Sequence, residues 1–303
     1  MTTLEIGTNS KPATPAPFKI LTPLELAYRR FRRNKLGFVG AFIVFAFMFM
    51  SLFANFLAPY TYDKTNLSNV FKRPGQNPAN ALGTDDLGRD LLSRLIYGAR
   101  TSFQVAAIAS VVSTVVGIVL GFLAGWYGGW VDLFINRLLE LVGSLPALLF
   151  QILLMGLLGN GIWQVTFVIT VLSWPGMVRL VRAQVLAYKE RDFITASQSL
   201  GASTASVAFR HLLPNIINPL IVAVSFGVPG FIAAEAALSF LGYGINEPIP
   251  SWGKMVGKAG QYLQNFQYLM VLPAACLAVL VLGFAFLGDA LRDALDPSSD
   301  RAS

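Results

Sequence analysis

Between Leu36 and Ala58 the chain carries no charged residue. A run of that length crosses about 30 Å of hydrocarbon as an α-helix, the form in which a segment satisfies its own backbone polar groups. Five further runs repeat the pattern. Thr101–Tyr127 is uncharged, and Val131–Leu158 holds Asp132, Arg137 and Glu140. Gly161 to about Ala187 is uncharged until Arg179 and Arg182, Ile216–Leu241 holds only Glu235, and Phe266–Leu287 holds no charge. The runs are continuous rather than alternating, which excludes a transmembrane β-barrel. The expected fold is an all-α integral membrane protein with six transmembrane helices. Charged residues are 13% of the chain, against about 25% in soluble domains.

Lys and Arg set the expected orientation. With the N-terminus in the cytoplasm, fourteen of them fall inside and eight outside. Both termini are therefore expected to be cytoplasmic. The first span is too long for a signal-peptide core and lacks a small-x-small cleavage site, so it is expected to stay as an anchor. Four regions follow: a cytoplasmic segment over 1–35, a first helix and external segment over 36–100, a core over 101–290, and a cytoplasmic tail over 291–303. Roughly the first fifteen residues are expected to be disordered. Pro23 to Lys35 is basic and amphipathic enough to lie on a membrane surface.

Several chemistries are excluded. No basic cluster is interleaved with aromatics, so nucleic acid is not an expected partner. One cysteine, Cys276, and one histidine, His211, rule out an internal disulfide and a Cys or His metal cluster. The string GKMVGKAG from Gly253 lacks the spacing and the Ser or Thr of a phosphate-binding loop. No catalytic residues and no bound cofactor are expected. Any energy for active work would have to come from another chain.

Other polar features sit between the spans. From Leu82 to Ser102, Thr84 can cap a helix with Asp85 and Asp86 in its first turn. Leu87, Leu91, Leu92, Leu95 and Ile96 would form its apolar stripe, with Arg89, Asp90, Ser93 and Arg94 opposite. An external interfacial helix is the expectation. Gly117, Gly121 and Gly125 align on one face of the second span and admit a neighbouring helix. Arg137 and Glu140 are neighbours on one helix face, either turned into the bundle or reaching for the surface. Pro146 and Pro175 are expected to kink spans three and four. Trp252 is expected to anchor an external loop in the interface. Glu235, with Ser239 one turn on, has two readings: a lining or outer gate of a translocation path, or a carboxyl group bonded to a neighbouring helix or hydrated at the outer face.

Lys189 to Pro214 is the long polar interruption of the second half. Its composition reads as helix, turn, helix. Gly201 suits a left-handed residue just past a helix end. Ser203 suits the next N-cap, and Pro214 is expected to close the second helix. The orientation derived from Lys and Arg independently places this elbow in the cytoplasm.

Four stretches carry a resemblance. Ala196, Gly201 and Leu213-Pro214 resemble the "EAA" cytoplasmic loop of ABC-importer permeases, with Thr195 where that family has Glu and Ser197 where it has Ala. The pattern GTDxLGRDxxSRxxxGAR, from Gly83, resembles the second, "C"-type permease of peptide and nickel importers. LSFLGYGINEPIPSWGKMV and the closing GDALRDALDP are similar to that family's external loop and C-terminal signature. The resemblance implies a type I ABC-importer permease fold with a cytoplasmic coupling helix. It makes Thr195, Ala196, Ser197, Gly201, Ala202, Leu213 and Pro214 the ATPase-coupling loop. It implies a homologous second permease, two ABC ATPase subunits that carry the ATP and magnesium, and an extracytoplasmic substrate-binding protein docking near the external loop. The cargo would be dipeptides or oligopeptides, crossing a bacterial cytoplasmic membrane by alternating access. Nickel chelates, glutathione or opines are alternatives within the same architecture. A self-sufficient secondary transporter is the alternative from another class. It would need mid-membrane carboxylates and an inverted repeat, and the spans offer few ionisable residues.

Overall fold

The computed structural model describes residues 23–295. The expected N-terminal disorder, and Asp296 and Pro297 of the tail, lie outside the described residues. The described chain is helical throughout, apart from its connecting segments. Helix α1 (Pro23–Arg33) meets α2 (Lys35–Leu52) at Asn34, whose side chain accepts a hydrogen bond from the Gly37 N–H at 3.0 Å and so caps α2. A short α3 (Ala54–Leu57) completes the first crossing. Next come α4 (Leu91–Tyr127), α5 (Gly129–Ser144), α6 (Ala147–Leu158) and α7 (Ile162–Lys189). The elbow helices α8 (Asp192–Ser199) and α9 (Thr204–Val207) lead into α10 (Leu213–Phe240). A small α11 (Trp252–Ala259) precedes α12 (Tyr268–Leu295).

Five helical stretches are long and apolar enough to cross a membrane, and α5 with α6 forms a pair bent by 86°. That pair also crosses from one end of the bundle to the other. Gly128, which precedes α5, follows Trp126, whose carbonyl accepts from Lys189 at the elbow end. Asn160, just past α6, donates to the Gly242 carbonyl and accepts from Asn246 at the opposite, loop end. The pair therefore makes the sixth crossing.

The break has a local cause. Leu145 is extended (ψ 134°) ahead of Pro146, as the proline ring requires of its predecessor. The expected kink is thus a full interruption. Pro175 behaves differently, since α7 runs through it. Its missing N–H leaves the Val171 carbonyl without its usual donor, and the Trp174 indole N–H supplies one at 2.8 Å.

Helices α4 and α7 are packed face to face through the glycine row. A Cβ on Gly117 would overlap Met177, one on Gly121 would lie 2.7 Å from the Val181 Cβ, and one on Gly125 would lie 2.8 Å from the Val185 Cβ. With no side chain in the way, the backbones approach closely enough for dispersion contacts to hold them. Asp132 of α5 adds an ion pair to Arg182 of α7 at 2.5 Å.

The expected external helix starting at Thr84 does not form. Residues 59–90 fold as turns with a short 3-10 helix at Leu67–Asn69 and a bridge between Thr84 and Asp90. Gly83 and Gly88 take positive φ (85° and 68°) and turn the chain back on itself. The Thr84 hydroxyl donates to the Asn69 carbonyl and accepts from the Lys72 N–H, so it is not free to cap a helix. Asp90 is the cap instead, accepting from the N–H and hydroxyl of Ser93 at 2.8 and 2.7 Å. From Leu91 the helix continues without a break as the second crossing.

Replacing Gly121 by Val should force α4 and α7 apart and destabilise the protein by about 1–3 kcal/mol, the usual range for overpacking. Gly156→Val on α6, where a Cβ meets nothing within 4 Å, should leave the thermal midpoint in detergent unchanged. Equal midpoints for the two variants would show that the glycine row does not set the packing.

Candidate functional site

At the elbow end, α8 runs to Ser199 and then closes on itself. The Gly201 N–H bonds the Gln198 carbonyl (2.9 Å), and the Ala202 N–H bonds that of Ser197 (3.1 Å). Gly201 has φ 83°, the left-handed geometry expected of it. The Ser203 side chain accepts from the Ser206 N–H at 3.2 Å and caps α9. Ile194, Val207 and Leu212 are buried with Val181 and Val185 of α7. Those contacts fix the elbow to the bundle. Its outer side exposes Phe193, Phe209 and above all Leu200, which is 89% accessible at the tip.

The seven elbow residues singled out from sequence come together here. Thr195, Ala196, Gly201 and Pro214 are exposed, while Ser197, Ala202 and Leu213 are half-buried. The Thr195 hydroxyl donates to the Arg191 carbonyl (3.3 Å), and the Ser197 hydroxyl lies 3.3 Å from the His211 ring. Pro214 does not close a helix as expected. Ala208–Leu212 forms a π turn, and Pro214 sits in the first turn of α10, where its missing N–H costs least. The stretch Thr204–Phe240 thus continues from the elbow into the fifth crossing.

At the loop end, the polar residues expected to face water are buried. Arg89 bonds Asp85 at 2.7 Å and Glu247 at 2.5 Å. Arg94 lies 3.5 Å from both of those carboxylates, and Lys258 of α11 pairs with Asp86 at 2.8 Å. Neither guanidinium is left without a carboxylate, which is what permits their burial. This cluster ties the 82–90 turn to the 241–251 loop and to α11. Sequence reasoning treated Arg89 and Arg94 as solvated and did not single out Glu247. The ion pairs of Arg89 and Arg94 with Glu247, and of Lys258 with Asp86, span more than 150 residues of chain, so no spacing reveals them.

Trp252, expected in the interface, is fully buried. Its indole N–H donates to the Leu95 carbonyl at 3.0 Å, against Gly98. Glu235 is also fully buried. Its Oε1 accepts from the hydroxyls of Ser239 (2.8 Å) and Ser251 (2.6 Å), and its Oε2 accepts from Ser102 (3.3 Å). Of its two sequence readings, the geometry matches a carboxyl group bonded to neighbouring elements. Ser239 is buried with it.

Arg137 and Glu140 pair at 2.7 Å but remain 74% and 64% exposed. They do not turn into this chain's own bundle. Arg179 is likewise exposed, with its guanidinium against Gly143. The exposed face of α5 otherwise presents Trp130, Leu133, Phe134 and Leu141. Among the described residues no group of three or more His, Cys, Asp or Glu side chains could hold a metal ion. Asp289, Arg292 and Asp293 are exposed on the last turns of α12.

Comparison with known proteins matches residues 117–301 to the family model described as binding-protein-dependent transport system inner membrane component. Residues 22–74 match the N-terminal transmembrane domain of oligopeptide transport permease C. The chain is 41% identical over 297 residues to the dipeptide transport system permease protein DppC of Escherichia coli K12, covering 97% of this chain and 98% of that one. It is 37% identical over 271 residues to the oligopeptide transport system permease protein OppC of Bacillus subtilis, covering 89% and 88%. A chain from inward-facing structures of the MetNI methionine ABC transporter superposes with a TM-score of 0.55 at 18% identity, over 67% of this chain and 96% of that one. That likeness is one of fold.

The Glu247 carboxyl group is held below the usual carboxylate range. Burial alone would raise it, but Arg94, Arg89 and Lys258 outweigh burial. The ionised form is therefore favoured by folding. Its stabilisation is complete above the unfolded value of about 4.3 and is lost as pH falls through the lower folded value. Glu247→Gln should cost about 1 kcal/mol at pH 7, a figure discounted for partial exposure. It should also flatten the stability–pH curve below about pH 4.3. Thermal unfolding of both proteins across pH checks this, and parallel curves would refute it.

Proposed function

The chain belongs to the dipeptide and oligopeptide permease C family of ABC importers, and we propose that it forms one half of a membrane pathway for peptides. It is the non-catalytic, multi-pass membrane component. The observation that carries the reading is the elbow. It is a small-sided turn anchored by buried Ile194, Val207 and Leu212, with an apolar tip presented outward at Leu200, and it is continuous through α10 with the opposite end. Such a part suits mechanical contact and offers nothing for covalent chemistry. In this reading an ATPase subunit grips Thr195, Ala196, Ser197, Gly201 and Ala202. Movement there turns α9 and α10 about Leu213 and Pro214, and the elbow lies on the cytoplasmic side. Thr195 offers a hydroxyl where the family has a carboxylate, so the grip depends on shape more than on charge at that position.

A homologous second permease completes the pathway. The exposed face of α5 supports this. A charged pair set among Leu133, Phe134 and Leu141 is costly against lipid, and is accommodated where another protein chain or a water-filled passage covers it. An extracytoplasmic binding protein would deliver peptide to the loop end. Glu235 and Ser239, considered as path or gate residues, serve here as a joint that holds that end together. Peptide cargo is the reading favoured by the two permease relatives over nickel chelates, glutathione or opines.

Gly201→Val tests the elbow. A β-branched residue at φ 83° costs about 1–3 kcal/mol of backbone strain, although a Cβ would meet no atom within 4 Å. ATP-dependent peptide uptake by the reconstituted complex should fall at least about tenfold, while Gly201→Asn, which tolerates this conformation, should retain most of it. Unchanged uptake in the Val variant would remove the elbow from the mechanism. A cysteine replacing Ser203 should react with an impermeant thiol reagent from the cytoplasmic side alone, and reaction from outside would invert the orientation.

A further inference from the structure

We propose that Glu235 is a positioning residue that sets the loop end of the permease for productive engagement by its delivery partner. This rests on the functional reading above and adds to it a residue, a mechanism and a measurable consequence.

Glu235 projects from α10 and joins three separate elements. Ser239 is on its own helix, Ser102 is on α4, and Ser251 is the last residue before α11. Ser251 is itself fully buried. No Lys, Arg or His lies within ion-pair distance of Glu235 among the described residues, so hydroxyl groups alone hold it. Stability by itself does not call for such an arrangement. The loop already packs tightly through glycines. A Cβ on Gly244 would overlap Ser239, one on Gly253 would overlap the Ala236 backbone, and one on Gly257 would lie 2.7 Å from the Phe240 carbonyl. Trp252 fills the space beside Gly98. Apolar residues at position 235 and at its three serine partners together would suit those surroundings, since exchanging a whole buried polar group with its partners is often neutral.

What the carboxyl group adds is direction. Apolar contacts tolerate small slides of the loop along α10. Ser102 of α4 and Ser239 of α10 fix the carboxyl group, and the third bond, from Ser251, is made at one loop position only. A slide of the 241–251 loop would take Ser251 out of reach and leave a buried carboxyl group short of partners, which is strongly disfavoured. The loop is thus either seated or released, with little between. The Arg89–Glu247 and Arg94–Glu247 contacts tie the same loop to the 82–90 turn. Seating at Glu235 therefore sets the whole loop-end cap relative to α4 and α10. A docking protein meets this cap as one surface.

The test uses the complete transporter, with its second permease and ATPase subunits in lipid nanodiscs, titrated with its own binding protein. ATP hydrolysis is the readout. Glu235→Leu should raise the half-saturating concentration of binding protein about five- to tenfold, the effect of losing the one hydrogen bond that seats the loop. The rate at saturation should stay within about twofold. Glu235→Gln keeps an acceptor oxygen for Ser239 and Ser251 and should behave as the parent does. Ser251→Ala, the mildest change, should give part of the Leu shift. Hydrogen exchange should quicken across 241–262 in the Leu and Ala variants and stay unchanged across the 190–213 elbow. An unshifted half-saturation in both variants would overturn the proposal. So would a lowered ceiling at constant half-saturation, which would make Glu235 part of the path, or a Gln variant that behaves like Leu. A parent complex that no binding protein stimulates would instead refute the importer reading, and the exchange measurement would still judge the joint.

Discussion

Charge is expensive to bury and more expensive to leave against hydrocarbon, and the pairing of the buried and half-buried charged groups follows from that. Asp132 and Arg182 meet across α5 and α7. Arg89 and Arg94 share Asp85 and Glu247 at the loop end, and Glu235, without a cation, is enclosed by three hydroxyls. Arg137 and Glu140, with Arg179 facing them from α7, depart from that pattern by staying exposed among apolar side chains. In the proposed reading, that exposure is what makes the α5 face an assembly face.

The two ends of the bundle are built by opposite means. The elbow helices themselves are seated by apolar contacts and small residues, with the Lys189–Trp126 hydrogen bond and the Asp132–Arg182 ion pair beside them, and their outer surface is left open at Leu200 and Phe209. The loop end is closed by ion pairs, directed hydrogen bonds and a buried indole. Apolar contacts allow an element to rock while staying attached, whereas hydrogen bonds and ion pairs hold one geometry. In the proposed reading, the part that yields to a motor and the part that presents a constant face therefore differ in the chemistry that holds them. The glycine row of α4 against α7 lies between the two and gives both ends a common, closely packed support.

Proline positions show how context decides a residue's effect. Pro146, Pro175 and Pro214 each remove one backbone donor. At Pro146 the chain breaks into α5 and α6, because Leu145 is extended and no side chain repairs the ladder. At Pro175 the Trp174 indole meets the freed Val171 carbonyl, and α7 continues. At Pro214 the residue falls in the first turn after a π segment, and the elbow runs on into α10. Nothing local in the sequence separates these outcomes, since each depends on a neighbour's rotamer or on where the preceding helix turn starts.

Six crossings, the elbow with Gly201 at its turn and Ser203 at its cap, and the glycine face of the second span were legible in the residues alone. Each is a local matter: uninterrupted apolar length, a backbone angle open to glycine, or a spacing of four on one helix face. The loop end was not legible. Thr84 reads as a helix cap, Arg89 and Arg94 as solvated, and Trp252 as an interfacial anchor, because each was judged from its immediate neighbours. Their actual partners, Asn69, Glu247 and Leu95, come from other parts of the fold, and for Glu247 and Trp252 they lie more than 150 residues apart along the chain. Sequence determined which segments enter the membrane, since that depends on the transfer energy of each segment by itself. Tertiary structure decided which polar groups are buried, since that depends on partners that only the folded chain brings together.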